Sequence, residues 1–332
     1  MTFNYKNVYL EDTSTIAGVY EEAGPLNKYY DKCYKDFYFN EKTFELAEIK
    51  LMNESIDILL DKSKKKAIDI DIHISGDLLN QITASSYTAS KKQIPFIGIY
   101  AACSTSTLGM IIASNMINSR QIKNAIVSVS SHNCTSEKQF RQPVEYGGPK
   151  PKRSTFTVTG AASALLSNKQ NSIKVSSATL GTVVDLGIKD PFNMGAVMAP
   201  AAAKTIYEHL INTKTNPSDY DMILTGDLGI YGKKILKDYM QDEYNIELGN
   251  LQDSACMIYE LDKQEVNAGG SGPACLPLVS YGYILDKMKK NRLKKVLLVA
   301  TGALLSQTLV NEKQTIPAIS HAVCLEVCQW FI

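Results

Sequence analysis

The chain has 332 residues, 45% hydrophobic and 21% charged. This is globular composition, long enough for two ordinary domains or one large α/β assembly, and it excludes a disordered or fibrous chain. Lys+Arg is 35 against Asp+Glu 34, a formal charge of +1, so the overall balance gives no support for a nucleic-acid binder driven by phosphate neutralisation.

Mean hydropathy is -0.12. No apolar run approaches bilayer length, and the start MTFNYKNVYLEDT has no basic region followed by an apolar one. Neither a transmembrane segment nor a secretory signal is expected. Seven cysteines without regular spacing suit reduced thiols in a cytosol-like compartment. No CxxC or HExxH occurs, which argues against a zinc site.

In chain order, the first predicted helix runs from Phe44 to Asp61, with Ile49, Met52, Ile56 and Leu59 at helical spacing. Its basic end, Lys62 to Lys66, reads as solvated and favoured by the helix dipole. A short apolar strand follows and closes on Ser75-Gly76-Asp77-Leu78. Next come a strand from Phe96 to Ala101, a helix from Cys103 to Asn118 and a strand from Ala125 to Ser131. Asn133 to Lys152 holds three prolines and Gly147-Gly148, and is expected to be a long ordered loop walling a site.

The same order then repeats. A helix is predicted over Ala201 to Asn212, with Pro200 at its first position. A strand closes on Thr225-Gly226-Asp227-Leu228, matching the earlier Ser-Gly-Asp-Leu. The Gly269-Gly270-Ser271-Gly272 turn opens a helix to about Lys289, and strand Lys295 to Thr301 follows. Strands alternating with helices indicate βαβ units, and continuous apolar strands suit parallel sheets covered on both faces. The reading is two similar α/β halves, 1–170 and 171–332, divided at the polar break 168–171.

Cys103 sits between an apolar strand and an apolar helix, with Ser104, Thr105 and Ser106 in the first turn. A thiol there is expected to favour thiolate, and the free N–H groups suit an anion. His132 directly follows a strand, where α/β sites collect; a surface imidazole is the alternative. His321 and His73 read as core residues, and His209 as solvent-facing. Asp77 and Asp227 each follow a strand and a glycine. Helix capping is the plainer reading for both, and orienting a partner or binding a metal the sharper one. The Gly269–Gly272 turn resembles an anion cradle but lacks a P-loop ending. Arg141, Lys150, Lys152 and Arg153 could meet an acidic ligand.

The duplicated halves, with a cysteine at a strand-to-helix junction, resemble the thiolase fold, and the local pattern resembles ketoacyl synthase III relatives. A closer resemblance is to the stage V sporulation protein AD family. Segments carrying it include Glu22-Ala23-Gly24-Pro25-Leu26, Tyr100-Ala101-Ala102-Cys103-Ser104-Thr105-Ser106, Ser130-Ser131-His132-Asn133, Met198-Ala199-Pro200-Ala201-Ala202-Ala203, Ala268-Gly269-Gly270-Ser271-Gly272 and Ala300-Thr301-Gly302-Ala303-Leu304-Leu305-Ser306. Together these and similar segments span nearly the whole chain. The family continues the glycine turn with Cys-Gly-Cys-Ser, where this chain has Pro273-Ala274-Cys275-Leu276.

The resemblance implies a five-layer αβαβα architecture and binding of dipicolinic acid, free or as its calcium chelate, with no cofactor. It implies work with membrane proteins of the stage V sporulation A system, peripherally at the spore inner membrane, and by analogy a homodimer. The ligand would lie between the halves, lined by Cys103, Ser104, Ser106, His132, Asp227, Gly270 and Ser271. The helix-start N–H groups would receive its carboxylates, and Asp227 would face calcium or a protonated group. Condensing relatives need a second-half His with Asn or a second His. The matching positions here offer Gly226, Asp227, Leu228 and Gly270-Ser271, so a non-catalytic binder is expected. The alternatives are an acyltransferase with Cys103 as nucleophile and His132 or His321 as base, and a scaffold with a vestigial pocket.

Overall fold

The computed structural model describes residues 1–140 and 149–328. Ten of the twelve strands described in its large sheet form the main path, with the short strands Thr2–Asn4 and Lys32–Cys33 paired beside it. In the first half the main-path strands are β1 (Tyr9–Ala17), β2 (Ile72–Gly76), β3 (Phe96–Gly98), β4 (Asn124–Ser131) and β5 (Gly160–Ser167). In the second they are β6 (Ile173–Leu180), β7 (Met222–Thr225), β8 (Leu251–Asp253), β9 (Lys295–Ala303) and β10 (Ala318–Val327). The spatial orders are β3-β2-β4-β5-β1 and β8-β7-β9-β10-β6. Directions repeat as well: β2 runs parallel to β3 and β4, and β5 is antiparallel to β4 and β1. β7, β8, β9, β10 and β6 copy that pattern. A single bridge, Tyr9 with Lys174, joins β1 to β6 across the two halves.

The main helices are α1 (Phe44–Ser63), α2 (Thr83–Lys92), α3 (Thr105–Asn118), α4 (Asn133–Phe140), α5 (Met194–Thr213) and α6 (Gly229–Tyr244). A last one, α7, runs over 275–289 and is π-helical over Leu278–Ile284. α1 begins because the Thr43 hydroxyl accepts the Leu46 N–H at 3.2 Å, an N-cap. Its buried stripe includes Ile49, Met52, Ile56 and Leu59.

Strand alternation separates the layers. In β4, Ile126 packs outward with Ile56 and Leu59 of α1, while Val127 packs inward with Met110 of α3 and Leu278 of α7. In β10, Ala322 joins Val197 and Ile206 of α5, while Val323 joins the inner cluster. Five layers result: α1 and α2, a sheet half, α3 and α7, the other sheet half, then α5 and α6. The C-terminal ends of β2 to β4 and of β7 to β9 meet across the middle layer, and the cleft lies there.

Several local expectations change. α5 starts at Met194, so Pro200 lies inside it rather than at its first position. The apolar first turn, Met194 to Val197, carried no start signal beyond Asn193. Residues 133–140 form α4, not loop, and the rest of that expected loop to 148, with Arg141, lies outside the described residues. β3 ends at Gly98, and a 3-10 turn (Ala102–Ser104) precedes α3. Gly270–Ser271 is a short strand paired with Phe156–Thr157, and α7 starts only at Cys275. His209 is buried and bonded to the Thr179 hydroxyl at 2.8 Å, because its side of α5 packs on β6 rather than on solvent.

Candidate functional site

A cleft of about 820 Å³ opens between the halves, and Cys103, Asp227 and Ser271 line it together. The chain reaches Cys103 through a tight turn. Ala102 takes a left-handed φ of 48°, which a non-glycine residue adopts only when its surroundings enforce it. The Thr105 hydroxyl accepts the Ala101 N–H at 3.1 Å and donates to the Ala102 carbonyl at 2.7 Å. β9 contributes the missing space: a Cβ on Gly302 would stand 2.4 Å from the Ala101 carbonyl. Only glycine lets the second half approach this turn so closely.

Asp227 is buried directly after β7. Its Oδ1 accepts the Thr301 hydroxyl at 2.6 Å, and its Oδ2 accepts the Gly272 N–H at 3.3 Å. Burial pushes its carboxyl up to about 7; bonds from Thr301 and Gly272 hold it down, and the nearby Asp253 raises it further. The Cys103 thiol lies close enough to this carboxylate for each to shift the other. Burial and then the charge of Asp227 lift the thiol well above its ordinary range. The expected thiolate is therefore corrected. The helix start does face the sulfur, but desolvation and an adjacent carboxylate outweigh a partial positive charge.

The remaining proposed residues scatter around this floor. Ser104 is buried and donates to the Ala101 carbonyl at 2.7 Å. Ser106 is buried, with no partner for its hydroxyl among the described residues. Gly270 is buried in its short strand. None of these three lines the cleft. The glycine turn is no open cradle, since Gly272 N–H is committed to Asp227.

His132 is also absent from the lining and is not a surface imidazole. It packs against the rings of Phe39 and Phe44. Its Nδ1 accepts the Cys134 N–H at 3.1 Å and its Nε2 lies 2.9 Å from the Phe37 carbonyl, so Nε2 carries the proton. Burial lowers its pKa. His321 is a core residue whose Nδ1 accepts the Gly181 N–H at 3.2 Å, with burial lowering its pKa to about 4. Among the described residues no histidine lines the cleft.

Other lining residues were not singled out from sequence. Met194, Met198, Leu305 and Val310 form an apolar wall. Thr301, buried behind the lining and bonded to Asp227, carried one signal, a hydroxyl inside an otherwise apolar strand end. At the mouth, Lys150 pairs with Glu137 at 2.6 Å and Arg153 with Asp190 at 2.8 Å. Lys152 is exposed and does not line the cleft. No group of three or more His, Cys, Asp or Glu suited to a metal occurs among the described residues.

A sequence profile of stage V sporulation protein AD matches residues 1–326. Stage V sporulation protein AD of Bacillus subtilis (strain 168) is 42% identical over 319 residues, covering 96% of this chain and 94% of that protein. Among solved structures, 3-oxoacyl-[acyl-carrier-protein] synthase III from Aquifex aeolicus VF5 superposes with a TM-score of 0.58 at 12% identity. That match covers 96% of this chain and 99% of the other. Cerulenin-bound OleA of Xanthomonas campestris gives a TM-score of 0.60 at 13% identity, over 98% of both chains. At such identities these two structures speak for a thiolase-like fold alone.

Proposed function

The chain belongs to the stage V sporulation protein AD family, and from that premise we propose that its cleft binds dipicolinic acid without chemical conversion. The observation that carries this reading is the pairing of Cys103 with Asp227. A condensing enzyme needs neutral or positive donors where negative charge develops on the substrate. Here the group beside the thiol is a carboxyl, and the thiol itself is held protonated. An ionised Asp227 would repel an enolate or oxyanion.

A binder uses the same floor differently. In its protonated form Asp227 can donate to a ligand carboxylate, an acid–carboxylate hydrogen bond of the strong, charge-assisted kind. Met194 and Met198 offer polarizable contacts for an aromatic ring. Sporulation is the role the family name carries. Moving dipicolinic acid beside membrane partners is the finer reading built on it, and no helix among the described residues is long and apolar enough to cross a membrane.

Calorimetric titration with dipicolinate, with and without calcium, tests the reading. Benzene-1,3-dicarboxylate, which lacks the ring nitrogen, is the control. Saturable binding that prefers dipicolinate and weakens in Asp227→Arg supports it; no binding in any form overturns it. The thiol on the cleft and the synthase-like fold favour one second reading, acyl transfer through Cys103. Intact mass after incubation with acyl-CoA donors decides between them: a stable adduct on Cys103 would establish transfer.

A further inference from the structure

The charges along the cleft do not cancel. Among the described residues, the charged side chains in its lining are Glu137, Lys150, Lys189, Asp190, Asp227 and Lys313. Lys150 is held by Glu137, and Asp190 by Arg153 just outside the lining. Asp190 also accepts the Phe192 N–H at 2.9 Å. Asp227 lies at the floor on Thr301 and Gly272. Lys189 and Lys313 remain. Both are exposed, and neither ammonium forms an ion pair or hydrogen bond among the described residues.

The backbone brings these two lysines to one side of the mouth. Lys189 lies in the segment between β6 and α5, and Lys313 follows the short helix Gln307–Asn311. The two segments are tied together. Val184 and Ala318 exchange backbone hydrogen bonds at 2.8 Å, and the Ile316 N–H reaches the Ile188 carbonyl at 2.9 Å. The Thr315 hydroxyl donates to Asp185 at 2.6 Å. The Lys313 N–H closes its own turn on the Val310 carbonyl at 3.0 Å. Helix dipoles do not account for the pair. Lys189 precedes the start of α5, where a dipole gives a cation no support, and the helix before Lys313 has only five residues.

We propose that Lys189 and Lys313 make the cleft selective for a dianion, receiving one carboxylate of an aromatic dicarboxylate whose other carboxylate meets the floor at Cys103 and Asp227. This inference rests on the binding reading above and adds the groups that read the second carboxylate. Two unpaired ammonium groups match the two charges of such a ligand, and each finds in it the partner it lacks in the protein. A ring with one carboxylate satisfies the floor and leaves the rim lysines in water. Cleft walls of low dielectric concentrate the field of these charges beyond that of the same pair on an open surface.

Calorimetric titration of the full chain, without calcium, compares dipicolinate with pyridine-2-carboxylate, which keeps the ring nitrogen and loses one carboxylate. The parent should prefer dipicolinate. Lys189→Met/Lys313→Met should weaken dipicolinate by roughly tenfold and pyridine-2-carboxylate by about twofold or less. Raising salt to about 0.5 M should erode the parent's dipicolinate affinity more than the variant's. Lys234→Met, on α6 and absent from the lining, removes the same kind of charge and should change neither affinity. Thermal melting confirms that each variant is folded. Unchanged dipicolinate affinity in the folded double variant, or an equal loss for both ligands, would overturn the inference and leave the binding reading intact. A parent that binds neither ligand overturns both.

Discussion

The two copies of the strand-end motif, Ser75-Gly76-Asp77-Leu78 and Thr225-Gly226-Asp227-Leu228, share a backbone course but not a task. Asp77 is a structural cap: its Oδ1 accepts the Leu79 N–H at 3.0 Å, and its Oδ2 accepts the Ser85 N–H at 2.8 Å and hydroxyl at 2.7 Å. Asp227 turns instead to Thr301, Gly272 and Cys103. Its capping duty has moved to Asp253, which accepts the Leu228 and Gly229 N–H groups and the Thr225 hydroxyl. Both halves therefore meet the same fold requirement, and a third carboxylate leaves one of the pair free for the cleft.

The glycines diverge with the aspartates, which gives the largest expected contrast. A Cβ on Gly76 would sit 2.1 Å from the Ile99 carbonyl and 2.7 Å from Thr105 Cγ2, whereas on Gly226 its nearest neighbour would be 3.5 Å away. Gly76→Ala should cost about 4 kcal/mol or prevent folding, because backbone must move. Gly226→Ala should stay within about 1 kcal/mol. Urea denaturation of the pair measures this, and equal losses would show that the halves constrain their glycines alike.

The buried charge of Asp227 gives the next contrast, read through pH. Its folded carboxyl titrates at about 7 against an ordinary 3.8. Between these values the folded state holds a proton that the unfolded state has lost. Stability should therefore fall as pH rises through this window and level off above it. Glu21 and Glu48 are also raised, to about 7 and about 8, so the informative quantity is the difference between parent and variant. Asp227→Asn should remove a loss on the order of 3 kcal/mol between pH 5 and 8. If dipicolinate meets the protonated acid, its affinity in the parent should also weaken as pH rises past about 7. Asp77→Ala should behave differently, costing about 2 kcal/mol with its cap and leaving three donors unsatisfied, while sparing ligand affinity.

How far these differences could be read from sequence follows from what each residue needs. The repeat was legible because both strands end in the same four-residue pattern between similar helices. The convergence of Cys103 and Asp227 was legible because both follow strand ends on the cleft side, and that of Ser271 because it lies in a glycine-rich segment. Asp253 was not, since nothing marks an aspartate after a three-residue strand as the cap of a distant helix. Glu48 looks like a surface charge on an amphipathic helix, yet it is buried and accepts the Ser130 and Thr135 hydroxyls. His132 occupies the expected strand end, but Phe39 and Phe44 from another segment close over it, a long-range contact with no local signature. The state of Cys103 was misjudged because its partner lies 124 positions away, in the other half of the chain.

That partner also sets the smallest expected effect. Alkylation by iodoacetamide needs the thiolate, and the charge of Asp227 works against it. Asp227→Asn removes the charge while keeping an acceptor and the side chain's shape. Cys103 should then react about tenfold faster at pH 8, because one unit of pKa is worth tenfold in thiolate population. Peptide mass mapping isolates Cys103 from the other thiols. Cys275 is a useful internal reference, since it is buried, donates to the Gly226 carbonyl at 3.3 Å and is also raised partly by Asp227. If both cysteines accelerate equally, the substitution has loosened the packing around them. If Cys103 alone accelerates, the carboxylate itself holds the thiol inert, and the second copy of the motif controls the chemistry of a residue in the first half.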